Sequence, residues 1–130
     1  MILALRTDKP EAELYVLDSN GRVVASDKWQ AHRELSDTLL NHIEVLLHSS
    51  QVDLSSLTHI VVYQGPGSFT GLRIGITVAN TLAYSLGIPV VGISGGSWLN
   101  DIHSSLILSS AGTFVVPKYG AKVHITKPRK

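Results

Sequence analysis

Apolar and polar positions change period several times along the chain, and each change predicts an element. Ile2 to Leu5 is a short unbroken apolar run, read as a strand. Glu11 to Asp18 alternates, with Ala12, Leu14 and Val16 on one side and Tyr15 and Leu17 on the other. The Asn20-Gly21 pair then marks a hairpin whose two turn residues both accept positive φ. Arg22 to Trp29 returns as a third alternating strand. From there the period lengthens: Leu35, Leu39, Ile43, Leu46 and Leu47 recur every three or four residues, a helical stripe over about Arg33 to His48. His59 to Tyr63 holds an unbroken Ile-Val-Val run that suits a strand buried on both faces. Gly65-Pro66-Gly67-Ser68 breaks it, and a second helix follows from about Phe69 to Leu86, ended by Gly87 and Pro89. Val90 to Ile93 reads as another buried strand, and Ser94 to His103 as a short third helix.

The resulting order, β-β-β-α-β-α-β-α, joins three antiparallel strands by tight turns and reaches two parallel strands through helices. That order describes a single α/β lobe of the ribonuclease H-like kind found in the actin and sugar-kinase superfamily. Right-handed crossovers place the last strands beyond the first, giving a mixed five-stranded sheet of order 3-2-1-4-5 flanked by helices. The expected division is a lobe over residues 1–112 and a basic strand and tail over 113–130. A chain of 130 residues suits one domain and buries enough surface to fold without a covalent staple.

The second helix is apolar on more than one side. Leu72, Ala79, Leu82, Ala83 and Leu86 form one stripe, while Ile74, Val78 and Thr81 lie elsewhere. Such a helix is covered on both sides, either by the rest of the chain or by a second protein. No charged residue lies between Arg73 and Asp101, yet the stretch carries Asn80, Ser85, Pro89 and a Gly95-Gly96 pair, which breaks a membrane span. The expectation is a soluble, cytoplasmic protein, and the lack of cysteine excludes disulfides and thiolate metal sites. Charge is uneven: Lys118, Lys122, Lys127, Arg129 and Lys130 crowd the end, leaving residues 1–117 with six basic and ten acidic residues. These five are candidates for RNA contact; a solvated terminus is the plainer alternative.

Gly65-Pro66-Gly67-Ser68-Phe69-Thr70-Gly71-Leu72-Arg73-Ile74-Gly75-Ile76 is the densest motif. Gly65 and Gly67 flank Pro66 at a sharp strand-to-helix turn, and Ser68 stands where its hydroxyl could cap the helix. Gly71 and Gly75 lie four apart inside the helix, each costing about 1 kcal/mol against Ala. They pose the question of which backbone approaches so closely there. A phosphate cradle at the helix start is the second reading. However, the spacing lacks the Gly-Lys-Ser/Thr of a P-loop and the third glycine of a dinucleotide fingerprint. Spacing alone leaves packing, partner contact and anion binding all open.

This segment, after an Ile-Val-Val strand and before a small-residue helix, resembles the hallmark of the TsaB family, also called YeaZ. His32 to Leu40 is similar to that family's first helix, Gly87 to Ser94 to its next strand, and Val116 to Tyr119 to its closing strand. The resemblance implies an actin-like fold and a non-catalytic scaffold without a cofactor. Such a scaffold supports a catalytic relative, TsaD, which works with the ATPase TsaE to put threonylcarbamoyl on the tRNA adenosine beside the anticodon. It also implies that the two helices of this lobe form the association surface, with tRNA reached through the complex, and that the same surface can make a homodimer. Carried onto this chain, the contact candidates are Leu39, Ile43, Phe69, Leu72, Arg73, Ile76 and Asn80, some of which must face the core.

Two departures bear on the alternative, a nucleotide-binding or enzymatic actin-like lobe using the glycine turn. Arg6-Thr7-Asp8 puts a guanidinium where actin-like proteins keep the acid that serves the nucleotide's metal. Between about Asn100 and Thr113 the sequence also passes over most of the family's second lobe, against which a nucleotide would sit. Surface left bare in this way is expected to be covered by dimerisation, by the tail folding back, or by the partner. Six histidines form no His-x-x-x-His pair, and Gly67-Ser68-Phe69-Thr70-Gly71 departs from a nucleophile elbow by one position, so no catalytic or metal constellation is assigned.

Overall fold

A computed structural model describes residues 1–106 and 112–118. Strands β1 (Ile2–Arg6), β2 (Glu11–Leu17), β3 (Val23–Gln30), β4 (His59–Gly65) and β5 (Val90–Ser94) form one sheet of order β3-β2-β1-β4-β5. The first three strands pair antiparallel, and β4 and β5 join parallel to β1. Helix α1 (Leu35–Ser49) connects β3 to β4, and α2 (Phe69–Leu86) connects β4 to β5. The sheet order and the bounds of α2 match the expectation from pattern.

Strand alternation sorts the core onto two faces. Leu3, Leu5, Leu14, Val16, Ile60 and Val62 are fully buried on the face beneath α1 and α2. Ile2, Ala4, Tyr15, Val61 and Tyr63 point the other way, where Trp98 sets its ring edge-on at 5.9 Å from both tyrosines. Helix α1 adds Leu35, Leu39, Ile43, Leu46 and Leu47, each contributing about 1.5–3 kcal/mol by burial. It is tied to the edge strand by polar contacts as well. Trp29 stacks on His42 at 3.7 Å, its indole N–H reaches the Thr38 hydroxyl at 3.2 Å, and His42 Nδ1 lies 2.7 Å from Asp27.

Helix α2 ends as expected. Gly87 takes a left-handed φ of 69°, with Ile88 N–H donating to the Ala83 carbonyl and Gly87 N–H to that of Tyr84. Those two bonds satisfy two of the last four carbonyls of the helix.

Three local expectations are corrected. Only Gly21 of the Asn20-Gly21 pair has positive φ, at 86°. The turn runs from Asp18, whose carboxylate accepts the Asn20 and Arg22 N–H groups, and it continues into an irregular register at Val16/Leu17. Those backbone donors, Arg22 first, hold the Asp18 carboxyl below its ordinary pKa. The first helix is entered through a 3-10 turn at His32–Glu34 and so starts at Leu35, the first residue of its apolar stripe, rather than at the expected Arg33. The third helix shrinks to Ile102–Ser105, because Gly95 at φ 96° and the turns after it occupy most of that span. No helix among the described residues is long and apolar enough to cross a membrane.

Candidate partner-binding site

The glycine segment is shaped by its own chain. At Gly65, φ is 120° and an added Cβ would run into the Lys118 carbonyl oxygen. Tyr63 braces the turn, its hydroxyl donating to the Pro66 carbonyl at 2.8 Å. A Cβ on Gly67 would strike the Asp8 side chain, and one on Gly71 or Gly75 would strike Thr7. Thr7 Oγ1 in turn donates to the Gly71 carbonyl at 2.7 Å. The backbone that approaches α2 so closely is therefore the segment just after β1. Of the three readings left open by spacing, in-chain packing accounts for all four glycines.

Ser68 holds the N-cap position of α2 in extended conformation, but its hydroxyl makes no capping bond; its carbonyl accepts the Leu72 N–H at 3.0 Å. The expected cap is corrected accordingly. Arg6 crosses the same corner. Its Nε donates to Asp8 Oδ1 at 2.7 Å and a terminal nitrogen to Oδ2 at 3.3 Å, with the guanidinium 3.8 Å above the Tyr63 ring. Burial works against the Arg6 charge, but the Asp8 hydrogen bond and charge outweigh it and hold its pKa above the ordinary value. Beside them Tyr15 donates to Glu13 at 2.6 Å, and burial together with that carboxylate pushes the phenol pKa up. Asp8, the acid that lies against Gly67, is thus paired with a fixed guanidinium.

Outside this corner, α1 and α2 leave a groove of about 340 Å³, lined by Ser36, Thr70, Arg73, Ile74, Thr77 and Val78. The Arg73 guanidinium lies 5.3 Å over the Phe69 ring, which is 54% exposed. Leu40, one turn beyond Ser36 on the same face of α1, is 53% exposed. Exposed aromatic and arginine side chains such as Phe69 and Arg73 are of the types enriched at protein interfaces.

The contact candidates divide by helical phase. Leu39, Ile43, Leu72 and Ile76 are core side chains, at most 3% exposed, and reach no partner in this fold. The same 3.6 period that marks a helix marks its buried stripe, so those four were selected by the signal for burial. Phe69 and Arg73 do face outward. Asn80 is only partly accessible, and its carboxamide is bonded to Val115. Thr70, Ile74, Thr77 and Val78, one step off the buried stripe, are what the sequence reading missed, although the second apolar side of the helix already contained Ile74 and Val78. Of the basic candidates, Lys118 is exposed, while Lys122, Lys127, Arg129 and Lys130 lie outside the described residues.

Comparison with known proteins agrees with the fold. Residues 22–104 match the family described as TsaD, tRNA N6-adenosine threonylcarbamoyltransferase. A tRNA threonylcarbamoyladenosine biosynthesis protein TsaB of Bacillus subtilis is 48% identical over 52 residues, covering 40% of this chain and 23% of its own. The protein of the same name from Buchnera aphidicola is 33% identical over 94 residues, covering 72% and 44%. Among solved structures, YeaZ from Pseudomonas aeruginosa superposes with a TM-score of 0.66 at 35% identity, over 72% of this chain and 43% of that one. The chain thus spans less than half the length of each of these relatives.

Proposed function

We propose that this chain, which belongs to the TsaB (YeaZ) proteins of the TsaD-type family, is a non-catalytic subunit in threonylcarbamoyladenosine formation on tRNA. In this reading it binds a TsaD-like catalytic subunit through the α1–α2 groove. The observation that carries the proposal is the groove itself: Arg73, Ile74, Thr77 and Val78 line it, the Arg73 guanidinium lies over the exposed Phe69 ring, and Leu40 is exposed on the neighbouring helix. A nucleotide-using lobe is the less supported reading, because Arg6 stands at the end of β1 and Asp8 is already committed to it. A TsaE-like ATPase and tRNA would be reached through the catalytic subunit. Without a partner, the same groove would pair two copies of the chain.

Thr77→Arg tests the surface without touching the core, since Thr77 is exposed and lines the groove. Light scattering after gel filtration, on the chain alone and mixed with the TsaD-like protein of the same organism, should find a complex. Thr77→Arg should weaken it at least tenfold, while Asp53→Arg, outside the groove, should not. A complex indifferent to Thr77→Arg would remove the groove from the account, and the absence of any complex would remove the subunit role.

A further inference from the structure

The extended stretch Phe114 to Lys118 lies between the end of β4, Gly92 of β5 and one side of α2, and its main chain holds it there. The Asn80 carboxamide accepts the Val115 N–H at 2.9 Å and donates to the Val115 carbonyl at 3.0 Å. The Gln64 carboxamide donates to the Val116 carbonyl at 2.9 Å, and the Gln64 carbonyl accepts the Lys118 N–H at 2.7 Å. A side-chain amide offers one donor and one acceptor side by side, so Asn80 reproduces a rung of a β-ladder. Pairing of this kind reads an extended backbone, as in strand-addition recognition of peptides.

Side-chain identity is read at two places. Val115 is half-buried over Gly92, where an added Cβ would come within 2.8 Å of the valine methyl and 2.7 Å of the Gln64 amide carbon. The bare Cα of Gly92 is what makes room for a β-branched residue. One position earlier, the Phe114 ring tilts 43° against Tyr84 with centroids 6.4 Å apart.

We infer that Gln64, Asn80, Tyr84 and Gly92 form a binding site for an extended peptide bearing an aromatic residue followed by a β-branched one. In this chain the site is filled by its own residues 114–118, which act as a detachable strap. Attachment is slight: Phe114 and Val116 remain 62% and 67% exposed, leaving Val115 as the main apolar anchor. The bonds that hold it are few and lie apart from the core, so the strap can leave its seat while the sheet stays folded. The inference stands apart from the partner-binding proposal, which uses the Phe69–Val78 part of α2.

The test uses the full chain and a labelled peptide Gly-Thr-Phe-Val-Val-Pro-Lys, the sequence of residues 112–118. Val115→Asp expels the strap and leaves the seat vacant. Fluorescence anisotropy should show the peptide binding Val115→Asp at least tenfold more tightly than the wild-type chain. Adding Asn80→Ala in the same chain should cost at least tenfold. Hydrogen exchange supplies a check independent of the peptide. The Val115 and Lys118 amides should be protected in the wild type and lose protection in Asn80→Ala, while the β1 and β4 amides keep theirs. Equal peptide binding by wild type and Val115→Asp, indifference to Asn80→Ala, or unprotected Val115 and Lys118 amides in the wild type would each overturn the inference.

Discussion

Replacing Gly71 by Ala separates the present account from one based on helix propensity alone. In a bare helix the change stabilises by about 1 kcal/mol, because alanine is the better helix former. Here the new Cβ would collide with the Thr7 carbonyl oxygen, a backbone atom held by the end of β1, with the Thr7 carbonyl carbon at 3.2 Å. Forcing one methyl into such a contact costs typically 1–3 kcal/mol, and a rigid backbone neighbour puts it near the upper figure of about 3. Moving α2 away also breaks the 2.7 Å bond from the Thr7 hydroxyl to the Gly71 carbonyl, a further loss of about 1 kcal/mol. Set against the gain in propensity, the net effect is a destabilisation of about 3 kcal/mol. With a urea m-value of about 1.5 kcal/mol/M, the unfolding midpoint followed by circular dichroism should fall by about 2 M at unchanged slope. Gly96→Ala is the control: a Cβ there meets nothing within 4 Å, so the unfolding free energy should stay within about 0.5 kcal/mol of wild type. A Gly71→Ala protein as stable as wild type, or more so, would refute the claim that the helix glycines exist for the close approach of Thr7.

Other outcomes follow from the same corner and from the strand beside it. Arg6→Met leaves the Asp8 carboxylate, 6% exposed, without its cation and should cost about 2–3 kcal/mol. Arg6→Met with Asp8→Asn should recover part of that loss in the same urea titration. His59 has its pKa lowered by burial and then by the nearby N-terminal ammonium, so below about pH 6.5 the unfolded chain takes up the proton more readily than the folded one. Stability from this group is therefore full above that pH, is lost as the pH falls through that region, and levels off below the folded pKa. His59→Gln should flatten this part of the midpoint-against-pH curve, and an unchanged curve would contradict the assignment.

The sheet order was readable because each strand carries its own burial pattern and each crossover has one favoured hand. Helix α2 was readable to the residue because Ser68 and Gly87 punctuate both ends. Long-range side-chain geometry was not readable. Nothing in the pattern of Trp29 or His42 announces that the two rings stack, since that depends on where α1 crosses the edge strand. The glycines advertised a close approach without naming Thr7 as the group that approaches. Ser68 has the residue type of a cap without the hydroxyl geometry. The tendency to list apolar helix residues as contacts fails for a general reason: core and interface share a composition, and only the phase of the helix tells them apart.

Reconstituted tRNA modification tests the central claim most directly. A TsaD-like catalytic subunit, its ATPase and unmodified tRNA would be incubated with the wild-type chain, with Thr77→Arg, or with neither, and the nucleosides analysed by mass spectrometry. The account predicts threonylcarbamoyladenosine only when the wild-type chain is present, with Thr77→Arg reducing it at least tenfold. Equal modification without the chain would contradict the role as a required subunit.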